Sequence, residues 1–155
     1  MRLFTIITIL FSFISCEQNE LFQAYKGVEN LAWSYHEPIS FDVEIEDTTS
    51  LYNIDINIRH SGAYAYQNCW VWLHTEYPSG QKHSVRKELK FCNEEGTWYG
   101  SGLNNIFDVR NPVQNNAKFQ EKGIYKFKIE QNMRINPLPN ILDVGLRIER
   151  TKSFE

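Results

Sequence analysis

The chain has 155 residues, which suffices for one domain and hardly for two. Aromatic residues make up 14% of it, and aromatic and β-branched residues cluster in short alternating runs, which favours an all-β domain. The net charge is −3 and the basic residues form no stripe, so nucleic-acid binding is disfavoured.

The N-terminal segment is typical of a bacterial lipoprotein leader. A single basic residue, Arg2, precedes an apolar run over residues 3–14 that is too short to span a bilayer, which takes roughly 20 residues. Ser15 then precedes Cys16, as a small residue precedes the lipidated cysteine in a lipobox. We expect residues 1–15 to be a lipoprotein signal peptide and Cys16 to be the lipid attachment site, which anchors the chain to a membrane. The alternative is an ordinary signal peptide cleaved near Ser15.

The rest of the chain divides into a tether, a domain and a tail. Residues 16–38 begin with polar residues and continue without a firm hydrophobic period, which predicts a tether and an N-terminal arm that packs on the edge of the domain. Trp33, within this arm, is expected to pack in the core or at its edge. Residues 39–150 are predicted to form the β domain, and residues 151–155 a loose C-terminal tail.

Alternating runs define the strands of the domain. In residues 54–58, isoleucine alternates with aspartate and asparagine, so three isoleucines share one face. The run at residues 69–73 is apolar on both faces, which predicts a strand covered from both sides. Further strands are expected at residues 41–46, 85–92, 106–109, 125–130 and 142–149. Residues 111–116 are polar and are predicted to form a loop, and the whole pattern indicates an antiparallel β-sandwich of about seven to eight strands.

One hairpin can be given a predicted register. If the loop comprises residues 79–82, Trp70 lies opposite Phe91. Trp72 then lies opposite Leu89 on the same face. Such aromatic and aliphatic cross-strand pairs stabilise sheets, so we expect both tryptophans to be in the core.

The same register places Cys69 opposite Cys92. In an exported protein, two cysteines at matched positions can form a disulfide if their separation allows it. A Cys69–Cys92 disulfide is therefore a hypothesis, and two free thiols are the alternative.

No arrangement of residues in the sequence indicates catalysis or metal binding. The histidines lack metal-ligand spacing, no serine lies in a nucleophile elbow, and the glycines of residues 96–102 lack the ending of a phosphate-binding loop. We therefore predict that the protein is not an enzyme and that it has no catalytic residue, no bound metal and no cofactor.

Four residues are candidates for contact with a partner. Arg59 and Arg134 each end or closely follow a strand among apolar neighbours, where a guanidinium can bridge strand ends or capture an anionic ligand. Tyr64 and Tyr66 lie in an aromatic connector between two strands. Together with Arg59, this connector is the best candidate for a partner-facing edge.

Several motifs in a fixed order resemble one known family. After the lipobox at Cys16 come Ile-Arg-His at residues 58–60 and Tyr-x-Tyr-x-Asn-x-Trp at residues 64–70. Gly-Thr-Trp-Tyr-Gly-Ser-Gly follows at residues 96–102, and Asn-Met-Arg-x-Asn-Pro-Leu at residues 132–138. This ordered set resembles the gliding-motility lipoprotein family GldH of Bacteroidota over nearly the whole chain.

The resemblance implies a membrane-anchored, non-enzymatic accessory of the gliding apparatus, which is tied to the type IX secretion system. Its partners would be other proteins of the gliding or secretion machinery. Its place would be the cell envelope, the outer membrane in preference to the inner, with the domain in the periplasm or at the surface. Only Cys16, as the lipid attachment site, carries over from the family, because the family has no established catalytic residues.

A surface lipoprotein with a carbohydrate-binding β-sandwich is the alternative function. It depends on four aromatic residues whose rings could stack on sugars, namely Tyr64, Tyr66, Trp98 and Tyr99. Rings that are exposed and coplanar on one face favour glycan binding, whereas buried rings favour a role in the core.

Overall fold

The computed structural model describes residues 19–151. Within them the strands are β1 (Glu20–Gly27), β2 (Ala32–Trp33), β3 (Ile39–Ile45), β4 (Tyr52–Ser61), β5 (Asn68–Glu76), β6 (Lys82–Lys90), β7 (Ser101–Leu103), β8 (Ile106–Ala117), β9 (Gly123–Gln131), β10 (Leu138–Pro139) and β11 (Ile141–Arg150), with one 3-10 turn at Glu29–Leu31. No helix in this part of the chain is long and apolar enough to cross a membrane. The leader, the lipid site at Cys16 and the tail residues 152–155 lie outside the described residues and remain predictions.

Two antiparallel sheets, packed face to face, confirm the predicted all-β sandwich. One sheet has five strands in the order β1-β11-β4-β8-β7, the other has four in the order β3-β9-β5-β6, and β10 pairs with β2 in a small ribbon. Eight strands in residues 19–151 have seven residues or more, in keeping with the predicted number. The core lies between the two sheets.

The alternation of β4, at the centre of the five-stranded sheet, is as predicted. Its three isoleucines point inward and are at most 3% exposed. They lie opposite inward residues of β11, in the pairs Ile54 with Ile148, Ile56 with Leu146 and Ile58 with Val144. Burying side chains of this size contributes roughly 1.5–3 kcal/mol each, so this ladder is a main source of stability.

The predicted register of the β5–β6 hairpin is wrong. Tyr77 and Gln81 close the turn, because the N–H of Tyr77 donates to the carbonyl of Gln81 at 2.8 Å. Strand pairing therefore begins with Glu76 opposite Lys82. The positive φ of Gly80, 84°, fits this five-residue turn, since glycine adopts that conformation without steric cost.

The corrected register reverses the faces of β5. Cys69, Val71 and Leu73 point into the core and are at most 3% exposed. Trp70 and Trp72 are half-buried on the outer face instead of lying in the core. A shift by an odd number of residues has this effect because successive side chains of a strand point to opposite faces.

The disulfide between Cys69 and Cys92 is not formed, and both residues are buried free thiols. Cys69 lies opposite Leu89, whereas Cys92 follows the end of β6 and forms a bridge with Trp98. Burial raises the pKa of the Cys69 thiol to about 12, so this group stays protonated and unreactive in the fold.

Residues 111–116, predicted as a loop, belong to β8. This strand pairs with β4 along its whole length, with two register shifts. β7 pairs with its other side only from Ile106 to Asp108. Beyond Asp108, β8 is an edge strand among the described residues, and an edge strand tolerates Pro112 because its outer N–H groups need no strand partner.

The N-terminal arm is part of the sandwich. β1 is the edge strand of the five-stranded sheet and pairs with β11, while β2 pairs with β10. Trp33 is 1% exposed and contributes to the core, as predicted. Within the described residues, the strands of the sandwich therefore begin at Glu20, inside the segment predicted to be an arm that packs on its edge.

An aromatic cluster around His60 closes one end of the core. The imidazole stacks on Phe91 with a centroid distance of 4.9 Å and meets Trp98 edge-on at 4.7 Å. Its Nδ1 donates to the carbonyl of Ser61 at 2.9 Å, and its Nε2 is buried without a partner in residues 19–151. Burial lowers the pKa of His60, so the ring is neutral in the fold.

Mass spectrometry of the unreduced, denatured protein tests the assignment of free thiols. We expect peptide mapping to find both Cys69 and Cys92 alkylated, because neither sulfur has a disulfide partner in residues 19–151. In the folded protein Cys69 should react far more slowly, since its side chain is buried and its thiol protonated. A peptide pair linked through Cys69 and Cys92 would contradict the structure.

Replacing His60 by phenylalanine should remove an acid-dependent loss of stability. Below about pH 6.5 the unfolded chain protonates His60 while the folded chain, with its lowered pKa, does not, so acid favours unfolding. The free energy of unfolding of the wild type should then fall relative to that of His60→Phe by up to about 1.4 kcal/mol per pH unit. Urea unfolding above and below that pH measures the difference, and a difference independent of pH would refute the assignment.

Candidate functional site

The structure separates the four residues predicted to face a partner. Tyr66 and Arg134 line one groove at an end of the four-stranded sheet. Arg59 lies on the outer face of the five-stranded sheet. Tyr64 is 4% exposed, so its prediction as a partner-facing residue is wrong. Its ring packs in the aromatic cluster, and its hydroxyl donates to the carbonyl of Asn68 at 2.9 Å.

The groove has a volume of about 570 Å³ and forms where β5, β6 and the loop after β9 meet. We call it the Trp70 groove, and its lining residues are Tyr66, Trp70, Arg86, Asn132, Met133, Arg134 and Ile135. Trp70 reaches it because the β5–β6 register turns this side chain outward. The lining combines aromatic and aliphatic surface with two guanidinium groups.

Specific contacts hold the walls of the Trp70 groove in place. The guanidinium carbon of Arg86 lies 4.2 Å from the centroid of the Trp70 ring, a cation–π distance. Arg86 Nε donates to Asn132 Oδ1 at 2.7 Å, and the N–H of Asn132 donates to the carbonyl of Trp70 at 2.7 Å. The N–H of Trp70 donates to the sulfur of Met133 at 3.2 Å. The loop after β9 is therefore tied to β5, and the groove is preformed.

The two arginines of the groove have no acidic partner in the part of the chain that the structure describes. Neither Arg86 nor Arg134 forms an ion pair with a carboxylate of residues 19–151, and both are exposed. Glu88, which lies opposite Trp70, accepts instead from the side-chain amide of Asn68 at 2.6 Å. A guanidinium in this state can bind an incoming carboxylate through two parallel hydrogen bonds.

Arg59 is engaged within the domain. It lies directly opposite Asp143 on β11 and Asp108 on β8, and its guanidinium nitrogens reach their carboxylates at 3.0 and 3.4 Å. Its guanidinium carbon also lies 4.7 Å from the centroid of the Tyr25 ring, whose hydroxyl donates to Asp108 at 3.0 Å. Arg59 thus bridges three strands, which is the first of the two roles predicted for it from the sequence.

Arg147 organises a second group of charges on the same face. It binds Glu20 at 3.0 Å and Asp55 at 3.3 Å, and it also contacts Glu149. Burial raises the pKa of Asp55, and Arg147 and Arg110 oppose that shift. The outer face of the five-stranded sheet therefore neutralises much of its charge internally, unlike the Trp70 groove.

The rings considered for sugar stacking do not form a platform. Tyr64 is buried, and Trp98 is half-buried against His60. Tyr66 and Tyr99 are 37% and 44% exposed but line different depressions of the surface. The planes of Tyr64 and Tyr66 are 71° apart, so these rings are neither coplanar nor jointly exposed.

Five of the seven groove residues, among them Trp70, Arg86 and Met133, were not predicted from the sequence to face a partner. Trp70 is predicted to be in the core because the assumed hairpin register is wrong, and Arg86 and Met133 belong to no motif that indicates binding. A signal for the outer face of β5 is nonetheless present in the sequence, because Trp70 shares its face of the strand with residues that are mostly polar. These are Asn68, Trp72, His74 and Glu76.

Among solved structures, the chain is similar to TmCBM61 in complex with β-1,4-galactotriose. The TM-score is 0.36 and the sequence identity 12%, over 84% of this chain and 88% of that one. A likeness of this size supports no conclusion about a ligand.

Sequence comparison identifies one family of lipoproteins to which this chain is similar. The family model described as GldH lipoprotein matches residues 20–148. The gliding motility lipoprotein GldH homolog of Christiangramia forsetii is 31% identical over 156 residues, which cover 96% of this chain and 94% of that protein. The gliding motility lipoprotein GldH of Flavobacterium johnsoniae is 32% identical over 143 residues, 88% of each chain. The chain therefore belongs to the GldH lipoprotein family.

Proposed function

We propose that this protein is a non-enzymatic lipoprotein of the cell envelope that supports the gliding motility machinery and the associated type IX secretion by binding other proteins. The observation that carries the proposal is the Trp70 groove, where aromatic surface adjoins two arginines without acidic partners in the described chain. Tryptophan, tyrosine, methionine and arginine are enriched at protein interfaces, and tryptophan, tyrosine and arginine dominate binding energies there. Family membership supports the motility role.

The groove fits a protein segment that offers carboxylates beside an apolar side chain. Arg86 and Arg134 provide the guanidinium groups for the carboxylates. Tyr66, Trp70 and Met133 provide apolar surface, and the flexible thioether adapts to the shape of the incoming side chain. The partner is thus an acidic and apolar segment of another protein of the gliding or secretion machinery.

The membrane attachment is proposed to be a lipid on Cys16. The small residue before it, Ser15, and the apolar run that precedes both support this assignment. A cysteine that carries more than one acyl chain is held firmly, whereas a single chain gives marginal binding. We place the anchor in the outer membrane.

Replacing Cys16 by serine should abolish lipid attachment, because the acyl chains are carried by the thiol and by the amino group that cleavage releases beside it. Metabolic labelling with a palmitate analogue, followed by immunoprecipitation, measures this. The wild type and Cys92→Ser, which keeps Cys16, should both take up label. Label on Cys16→Ser equal to that of the wild type would refute the assignment.

Reversing the two groove charges in the variant Arg86→Glu/Arg134→Glu should weaken partner binding about tenfold or more, because arginines at interface centres are frequent hot spots. Both residues are exposed, so the abundance of the protein should not change. Co-purification from crosslinked envelopes and colony spreading measure the effect. The double variant Lys126→Glu/Lys128→Glu makes the same charge change elsewhere on that sheet and should spread normally. Normal spreading of the groove variant would contradict the proposal.

A further inference from the structure

We infer that the domain sits on its membrane with the start of β1 toward the lipid, and that the Trp70 groove lies at the opposite end of the strands, away from that membrane. The inference rests on the lipid anchor at Cys16 proposed above. It adds the direction from which a partner reaches the groove.

The length of chain between the lipid and the domain sets the first constraint. Cys16 precedes Asn19, the first described residue, by three residue steps (16 to 19). A fully extended chain spans at most about 3.5 Å per residue, so the two Cα atoms lie within about 11 Å of each other. The carbonyl of Asn19 accepts from the N–H of Arg150 at 2.7 Å, which fixes this residue to the sheet. The end of the sandwich that carries Asn19 is therefore held close to the headgroups.

The Trp70 groove lies at the other end of the strands. Tyr52 pairs with Arg150 at the near end, and from there β4 runs for ten residues to the far end, about 30 Å at roughly 3.3 Å per residue. His60, at that far end, stacks on Phe91. The N–H of Phe91 donates to the carbonyl of Gln67, in the connector that leads into β5 and also carries the groove residue Tyr66. The first residues of β5, which form the groove, are thus at the far end.

One wall of the groove also lies on the opposite side of the sandwich from β1. Phe22 of β1 contacts Phe41 of β3 with a centroid distance of 6.0 Å, so β1 and β3 form one side. On the other side, the N–H of Lys90 at the end of β6 donates to Asn111 of β8 at 2.8 Å. The groove residue Arg86 is on β6, three strand spacings of about 4.8 Å from β3.

The two displacements together set the distance of the groove from the lipid. A domain standing on its near end holds the groove away from the lipid by the length of the strands. A domain leaning on the β1 edge holds its Arg86 wall away by the width of the sheet. In either pose the groove is open to a protein segment that approaches from the aqueous side and is out of reach of segments buried in the same bilayer.

Fluorescence quenching on the full-length lipoprotein in phospholipid vesicles tests the orientation. The vesicles contain a lipid with a nitroxide on its headgroup, which quenches fluorophores near the membrane surface. One fluorophore is attached at Leu51→Cys, since Leu51 is 42% exposed and its carbonyl accepts from Thr151 at the near end. The other is attached at Lys90→Cys, an exposed site at the far end of β6. The protein without an added cysteine gives the background, because Cys69 and Cys92 are buried.

We expect loss of most of the fluorescence at Leu51→Cys and no loss at Lys90→Cys relative to vesicles without nitroxide. Equal loss at both sites would overturn the orientation and leave the anchor intact. No loss at either site, with protein that does not float with the vesicles, would overturn both the anchor and the orientation. The groove variant Arg86→Glu/Arg134→Glu should keep the wild-type pattern, so failure of the proposed binding function is distinguishable from failure of the orientation.

Discussion

The register of β4 against its two neighbours is the constraint on which the rest of the domain depends. Its isoleucines must face the second sheet, and this places Arg59 between Asp108 and Asp143 on the outer face. Burial of each isoleucine contributes roughly 1.5–3 kcal/mol, whereas a half-exposed ion pair contributes about 1 kcal/mol or less. The hydrophobic face therefore sets the register, and the ion pairs confirm it. A slip by one residue would expose the isoleucines and bury the arginine together.

The two outer faces of the sandwich are used in different ways. On the five-stranded sheet, Arg59 and Arg147 are neutralised by acids of neighbouring strands, so much of that face needs no external partner. At the far end of the four-stranded sheet, Arg86 is stacked on Trp70, and neither it nor Arg134 forms an ion pair with an acid of the described chain. This contrast, rather than the number of charges, distinguishes a binding surface from a solvated face.

The same topology links the binding surface to the proposed membrane anchor. β1 carries the N-terminal end of the domain to one edge, and β5 and β6 carry the Trp70 groove to the opposite end of the strands. A short tether then suffices to hold the domain at a surface while the groove stays accessible. For a lipoprotein of the GldH family, such an arrangement suits an adaptor between a membrane and a protein assembly beyond it.

The sequence by itself determined the all-β class, the inward face of β4, the core position of Trp33 and the family, because period-two alternation and motif order are local features of the chain. The tertiary structure decided the β5–β6 register, the strand at residues 111–116 and the place of β1 in the sheet. Of the site, Tyr66 and Arg134 could be named in advance, whereas Trp70 and Arg86 could not. The exposure of Trp70 and Arg86 depends on how the β5–β6 turn closes and on which strand lies beside β5. The pairing of neighbouring strands is set by contacts between residues distant in sequence.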